Sequence, residues 1–258
     1  MILRAIEVGQ GEPIVLLHGL FGAARNLGAV QRALAPRFRV IALDLRNHGS
    51  SPHAAEMDYS LMAEDVLQTL ATLDALPAAL VGHSMGGKTA MVVALARPDA
   101  VSRLVVADIA PVPYRHGNER IAEALLALPL SPGLTRPAAD AALAGAVPDA
   151  SMRGFLLQNL VVGERPHWRI GLAGIAGAIP ALEGWETPAG VSYDGATLFV
   201  AGALSDYVRP DYRSAIRALF PRARFVTLKN AGHWVHVDNP SGFVSVLEGF
   251  LGRRDARS

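Results

Sequence analysis

The sequence has 258 residues, 51% of them hydrophobic and 18% charged, with a formal net charge of +1. That balance suits one large domain, or a domain carrying an insertion, argues against disorder, and leaves no basic footprint for nucleic acid. No cysteine is present, which excludes disulfides, thiolate catalysis and cysteine metal sites.

Residues 2–8 read as an edge strand and not as a signal peptide, because no basic region precedes a long apolar run. No uninterrupted apolar stretch reaches the roughly 18–20 residues that span a bilayer, so the expectation is a soluble, cytoplasmic protein. Gly9-Gln10-Gly11 is a turn, and Pro13-Ile14-Val15-Leu16-Leu17 is a continuous apolar run of the kind covered on both faces. It ends in His18-Gly19-Leu20-Phe21-Gly22. Residues 26–35 are helix-like and stop at Pro36. A strand at 39–43 runs into a polar loop at 44–51. Residues 59–73 have helical apolar spacing at Leu61, Val66, Leu70 and Leu73. Ala78-Ala79-Leu80-Val81 is a buried strand, a helix-compatible stretch follows at 88–96, and another buried strand at 103–107 closes on Asp108.

Between about residues 111 and 188 the character changes. Strand-like runs vanish, and helical patches at 119–128, 138–146 and 151–162 are broken by Pro129, Pro132, Pro137, Pro148 and Pro166. Alternation then resumes, with strands at 197–201 and 224–228 and helices at 212–220 and 242–251. The pattern predicts an α/β fold, a doubly wound and mostly parallel sheet. Its core spans residues 1–111 and 188–258, and residues 112–187 form a helical cap. The basic run Arg253-Arg254-Asp255-Ala256-Arg257 reads as a solvated end.

The chemistry centres on Val81-Gly82-His83-Ser84-Met85-Gly86-Gly87, between a strand and a helix. Gly82-x-Ser84-x-Gly86 fits a nucleophile elbow. A strand turning at once into a helix strains the central residue, and side chains two positions to either side would collide. The same stretch, Gly82-x-x-x-x-Gly87-Lys88-Thr89, also satisfies the phosphate-loop pattern, with Asp108 as a magnesium carboxylate on the following strand. Taken alone, the segment does not separate a serine hydrolase from a nucleotide hydrolase.

Other loops weigh in. His18-Gly19-Leu20-Phe21-Gly22 follows an early buried strand, where an oxyanion loop belongs; the Leu20 and Met85 N–H groups are the expected donors. His233, in Ala231-Gly232-His233-Trp234 between the last strand and last helix, is the candidate base, with His236 the nearby alternative. His83 adjoins the serine in sequence but points away from it. Two aspartates keep the chain order Ser, Asp, His: Asp108 and Asp206.

Together these stretches resemble the α/β-hydrolase superfamily over nearly the whole chain. His18–Gly22, Asp44-Leu45-Arg46-Asn47-His48-Gly49, Gly82-His83-Ser84-Met85-Gly86-Gly87-Lys88-Thr89, Asp108-Ile109-Ala110-Pro111-Val112 and Gly232-His233-Trp234-Val235-His236 look like YbfF-type bacterial esterases and their mitochondrial abhydrolase relatives. The resemblance implies hydrolysis of small acyl esters or thioesters, with Ser84 as nucleophile and His233 as base, and no cofactor or metal. It makes the phosphate-loop match a coincidence, with Lys88 lying along its helix clear of substrate. The superfamily's usual acid slot holds Ser205 here, as in those relatives, which favours Asp108 over Asp206. Phe155, Leu156, Trp168 and Trp185 are expected to line an acyl pocket under the cap, with Phe21 at its mouth. Arg46-Asn47-His48 reads as a polar rim without a role. Open alternatives are C–C hydrolysis or cofactor-free perhydrolysis by the same serine, the nucleotide hydrolase, and a non-catalytic receptor.

Overall fold

The computed structural model describes residues 1–186 and 190–252. The basic run at 253–257 and the expected cap boundary at 187 and 188 lie outside the described residues. Strand β1 (Ala5–Val8) leads to β2 (Pro13–Leu17). A 3-10 turn (Ala24–Leu27) opens helix α1 (Gly28–Leu34), and β3 (Arg39–Leu43), α2 (Tyr59–Thr72), β4 (Ala78–His83), α3 (Met85–Ala96) and β5 (Val101–Ala107) follow. An insertion carries α4 (Asn118–Ala127), α5 (Arg136–Leu143), α6 (Ala150–Leu157), β6 (Leu160–Val161), β7 (His167–Trp168) and α7 (Leu172–Glu183). The chain closes with β8 (Ala196–Gly202), α8 (Arg213–Leu219), β9 (Ala223–Leu228), α9 (Val235–Asp238) and α10 (Pro240–Leu251).

Seven strands form one sheet in the order β1-β3-β2-β4-β5-β8-β9. Only β1 runs antiparallel, against β3. The strand alternation explains why both faces are covered. Ile14 and Leu16 of β2 pack with Val30 and Leu34 of α1 and with Phe243 and Leu247 of α10. Val15 and Leu17 face the opposite core, with Met62 and Val66 of α2 and Met91 of α3. Each such side chain contributes about 1.5–3 kcal/mol when fully buried. A one-residue register slip would exchange the two sets, so this doubly covered pattern pins the register.

The parallel arrangement brings the C-terminal ends of β2, β3, β4, β5, β8 and β9 to one edge. The loops that follow these strands carry Phe21, Asn47, Ser84 and Asp108, all non-glycine residues at positive φ. Strain of that kind costs on the order of 1–3 kcal/mol per residue and persists only where the surroundings impose it.

The insertion departs from the sequence expectation in two places. The patch read as helix to residue 162 stops at Leu157, and Leu160–Val161 pairs antiparallel with His167–Trp168. Asn159, the residue between helix and ribbon, is held by Arg169 N–H on its carbonyl and by its own side chain on Phe21 O, and those tethers redirect the chain. Helix α7 was not foreseen. It buries Leu172, Ile175, Ala178, Ile179 and Leu182 and carries Gly174, Gly177 and Pro180, so it presents no clean polar stripe for periodicity to find. Gly171 and Gly174 lie so close to Asn47 that a Cβ on either would sit 2.5 or 2.8 Å from its amide.

Candidate active site

Ser84 stands between β4 and α3 with φ 53° and ψ −120°. The flanking glycines are sterically required. A Cβ on Gly82 would lie 2.2 Å from Gly86 O, and one on Gly86 would lie 2.4 Å from Leu17 O. The turn thus holds the hydroxyl at the N-terminus of α3, where unpaired N–H groups and the helix dipole favour negative charge.

His233 Nε2 is 3.0 Å from Ser84 Oγ, and His233 Nδ1 is 2.9 Å from Asp108 Oδ2. A carboxylate only accepts, so Nδ1 carries the proton and Nε2 is left to accept the serine hydroxyl. Asp108 follows β5 and is fully buried. Its Oδ1 accepts from Gly202 N–H at 2.8 Å, and its Oδ2 also accepts the Ser205 hydroxyl. Its backbone is fixed as well, since Asp108 N–H donates to Val200 O at 2.8 Å. Asp206 is exposed, and among the described residues it makes no hydrogen bond to His233. Of the two aspartates weighed from the sequence, the structure places Asp108 against the imidazole. Ser205, in the slot where the superfamily usually carries its acid, donates to Asp108 instead.

Further groups steady the imidazole. Tyr207 stacks on it, ring centroids 3.8 Å apart and 19° from parallel, and His116 stacks on Tyr207 at 4.2 Å. His83 Nε2–H donates to His233 O at 2.8 Å, so His83 holds the loop and not the nucleophile. Burial, reinforced by the neighbouring His236 and His233, drives the His83 pKa well below its ordinary value. His236 packs 4.8 Å from His83, with its Nδ1 buried and without a hydrogen-bond partner among the described residues, and burial lowers its pKa to about 4.

The loop after β2 is built on two buried histidines. His18 Nδ1–H donates to Gly19 O at 2.8 Å, and its Nε2 accepts Leu45 N–H at 3.0 Å. His48 Nδ1–H donates to Arg46 O at 2.8 Å, and its Nε2 accepts Phe21 N–H at 3.1 Å. Acceptance at Nε2 requires neutral rings. Burial accordingly lowers His18 to about 4, and burial together with His18 lowers His48 to about 3. With Phe21 N–H consumed, the Leu20 and Met85 N–H groups find no acceptor among the described residues. Arg46, Asn47 and His48 are therefore not a polar rim. Each is buried at 5% exposure or less, with Arg46 paired to Asp65 at 2.6 Å and Asn47 taking Gly171 N–H on its carbonyl.

A cavity opens over Ser84, walled by Phe21, Tyr59, Ile121, Met152, Phe155 and Leu182 among others. Of the residues expected to form an acyl pocket, Phe21 and Phe155 line this cavity. The other three expected wall residues are not part of its lining. Leu156 is fully buried in the core, Trp168 Nε1–H donates to Leu125 O at 3.1 Å, and Trp185 packs near Tyr59. For Leu156 helix geometry decides this, because it and Phe155 are adjacent on α6 and cannot face the same side.

Lys88 is the main correction. It does not lie clear of the site but lines the cavity, 1% exposed, with Nζ 2.7 Å from Gly184 O of the insertion. The phosphate-loop geometry is absent too: Gly87 and Lys88 N–H groups, which would cradle a phosphate, donate to Ser84 O at 2.8 and 3.1 Å.

The profile of the α/β hydrolase fold family matches residues 12–240. The chain belongs to the α/β-hydrolase family. It is 44% identical over 248 residues to the sn-1-specific diacylglycerol lipase ABHD11 of Mus musculus, covering 92% of this chain and 80% of that protein. It is 38% identical to esterase YbfF of Escherichia coli, over 94% of each chain. Among solved structures it is similar to a marine microorganism esterase, with a TM-score of 0.93 at 35% identity, covering 96% of this chain and 99% of that one. Its relatives in the family include esterases and lipases. Among the described residues no helix is long and apolar enough to cross a membrane.

Proposed function

We propose that this α/β-hydrolase cleaves carboxylic esters or thioesters of short to medium acyl chains through an acyl-enzyme. The observation that carries the reading is the continuous chain of hydrogen bonds from Ser84 through His233 to buried Asp108. Ser84 attacks the carbonyl while His233 Nε2 takes its proton. Asp108, steadied by Gly202 N–H and Ser205, keeps Nδ1 protonated and stabilises the imidazolium. The Leu20 and Met85 N–H groups hold the oxyanion, each such donor being worth about 3–4 kcal/mol in the transition state. The leaving alcohol or thiol departs with the proton from His233. Water then attacks the acyl-Ser84 with His233 again as base. Residues 112–187 act as a cap that supplies Ile121, Met152 and Phe155 to the acyl pocket.

The test is turnover of an aryl ester without added metal, together with labelling by a fluorophosphonate. Ser84→Ala is expected to lower the rate by several orders of magnitude, leaving about 10³–10⁴-fold catalysis over water, and to abolish labelling. Full activity in Ser84→Ala would sink the mechanism.

A further inference from the structure

The loop after β8 touches two members of the triad. Ser205 donates to Asp108 Oδ2, and two residues further on Tyr207 lies face to face with the His233 ring, centroids 3.8 Å apart and 19° from parallel. Backbone contacts set the place of the Tyr207 ring. Its N–H donates to Ser205 Oγ at 3.3 Å, and its carbonyl accepts the Tyr114 hydroxyl at 2.5 Å. That hydroxyl in turn accepts Ala110 N–H at 2.9 Å. Among the described residues the Tyr207 hydroxyl itself makes no hydrogen bond. Burial pushes the Tyr207 phenol above its ordinary range, so the ring stays neutral. What this side chain offers His233 is therefore a ring face.

The other titratable groups around the imidazole are mostly neutral. His83, at the end of β4, lies 4.8 Å away at 45°, and burial drives its pKa well below the ordinary value. His236 on α9 is lowered to about 4 by burial. His116, ahead of α4, stacks on the far face of Tyr207 at 4.2 Å, and burial pulls its pKa down as well. Tyr114 lies 5.2 Å from Tyr207, with its phenol raised by burial. Lys88 of α3 and Glu183 of α7 line the same cavity with opposite charges, and Asp206 is exposed. When His233 takes the serine proton it becomes a cation. Asp108 meets that charge edge-on at Nδ1. A tyrosine face within about 6 Å attracts a cation through the ring quadrupole, and more strongly where water is excluded. Resting on the esterase reading above, we propose that Tyr207 is a positioning residue whose ring face stabilises the imidazolium that forms on His233 during attack. A spacer would need only the shape of the ring, whereas this role needs its electron density.

The experiment compares wild type, Tyr207→Phe and Tyr207→pentafluorophenylalanine on one aryl ester, following kcat and KM across the pH range. The two replacement rings have nearly the same shape, but fluorination reverses the charge of the face. Tyr207→Phe should stay within about twofold of wild type with an unchanged pH profile, because the hydroxyl has no partner to lose. The fluorinated ring should lower kcat about three- to tenfold with KM within about twofold. It should also move the midpoint of the acid limb of kcat/KM down by about half to one pH unit, the same free energy read a second way. An acid limb that stays in place, or a loss confined to KM, makes Tyr207 only a wall of the cavity and overturns the proposal. An equal loss in Tyr207→Phe overturns it too, by assigning the effect to the hydroxyl. Nuclear magnetic resonance titration of the histidine rings in a Ser84→Ala background gives a readout free of turnover, with the His233 signal assigned by its loss in His233→Gln. Its midpoint should fall by about the same half to one unit on fluorination, and no fall overturns the proposal. The expected fall in a protein that hydrolyses no ester would instead refute the esterase reading alone.

Discussion

The C-terminal edge of the sheet and the insertion above it contribute to the same cavity by different means. At the sheet edge the backbone fixes the chemistry. Ser84 is locked by its φ of 53° and the glycine contacts around it, and Asp108 by hydrogen bonds to Val200 and Gly202. The insertion contributes side chains from α4, α6 and α7. Its polar links to the core include Asn159 to Phe21, Gly184 to Lys88, Gly171 to Asn47 and Leu182 to Tyr59. The difference teaches where variation is tolerated. A change at the edge disturbs strained backbone shared by several groups, while a change in the insertion alters one wall of a pocket.

The sharpest way to break this contrast is at Asp108, the proposed acid. Asp108→Asn keeps the shape, and asparagine tolerates the positive φ of 51° at that position. It presents an amide where His233, Gly202 and Ser205 all need an acceptor. The expected loss in kcat is at least about a thousandfold, against less than about tenfold for Asp206→Asn, by analogy with the ~10⁴-fold loss for the amide in a chymotrypsin-type triad. The check is kcat on one aryl ester for both variants, with circular dichroism confirming the fold. The reverse order would move the acid to Asp206 and remove Asp108 from the rigid edge.

A second probe separates the regions by pH. The loop after β2 depends on neutral, buried His18 and His48, with pKa values lowered to about 4 and about 3, and His236 is lowered to about 4. In the unfolded chain these groups protonate near 6.5, so between there and pH 4 the unfolded state binds more protons than the folded one. Their contribution to stability is full above about pH 6.5 and is lost as pH falls toward the folded values, at up to about 1.4 kcal/mol per pH unit per group. Thermal unfolding should therefore show Tm falling from pH 7 to pH 4.5. Replacing His48 with Gln, whose carbonyl can still accept Phe21 N–H, should make that slope shallower. A slope identical to wild type would mean His48 is not a source of the acid lability.

The smallest expected effect lies at the junction. Asn159, 1% exposed, donates to Phe21 O at 2.7 Å and is the insertion's direct hold on the loop carrying Leu20. Asn159→Ala leaves that carbonyl unpaired, a cost of about 1–3 kcal/mol shared between stability and loop position. The expectation is a three- to tenfold fall in kcat with KM little changed, measured on the same aryl ester. A change confined to KM would show that the link shapes only the pocket and that the two regions are less coupled than the hydrogen bond suggests.

Local physics made much of this legible in advance. Two-sided apolar runs announced the parallel strands, and the glycine spacing around Ser84 announced a turn too tight for any other residue. The place of His233, between the last strand and the last helix, put it at the right edge. Local pattern was silent where long-range packing decides. Asp108 and Asp206 are equally good loop carboxylates until β5 and β8 pair with Ala107 opposite Val200, which carries Asp108 to Gly202 and Ser205 and leaves Asp206 in solvent. His48 gave no signal beyond its polarity, because its partner Phe21 is 27 residues away. Lys88 reads from its neighbours as a phosphate-loop lysine or, under the family resemblance, as a helical lysine clear of substrate. Only the segment after α7, bringing Gly184 O and Trp185 over the ammonium while Tyr59 and Tyr114 close the sides, turns it into a buried charge in the cavity over Ser84. Such a charge is defined by what desolvates it, and those groups come from three separate stretches of chain.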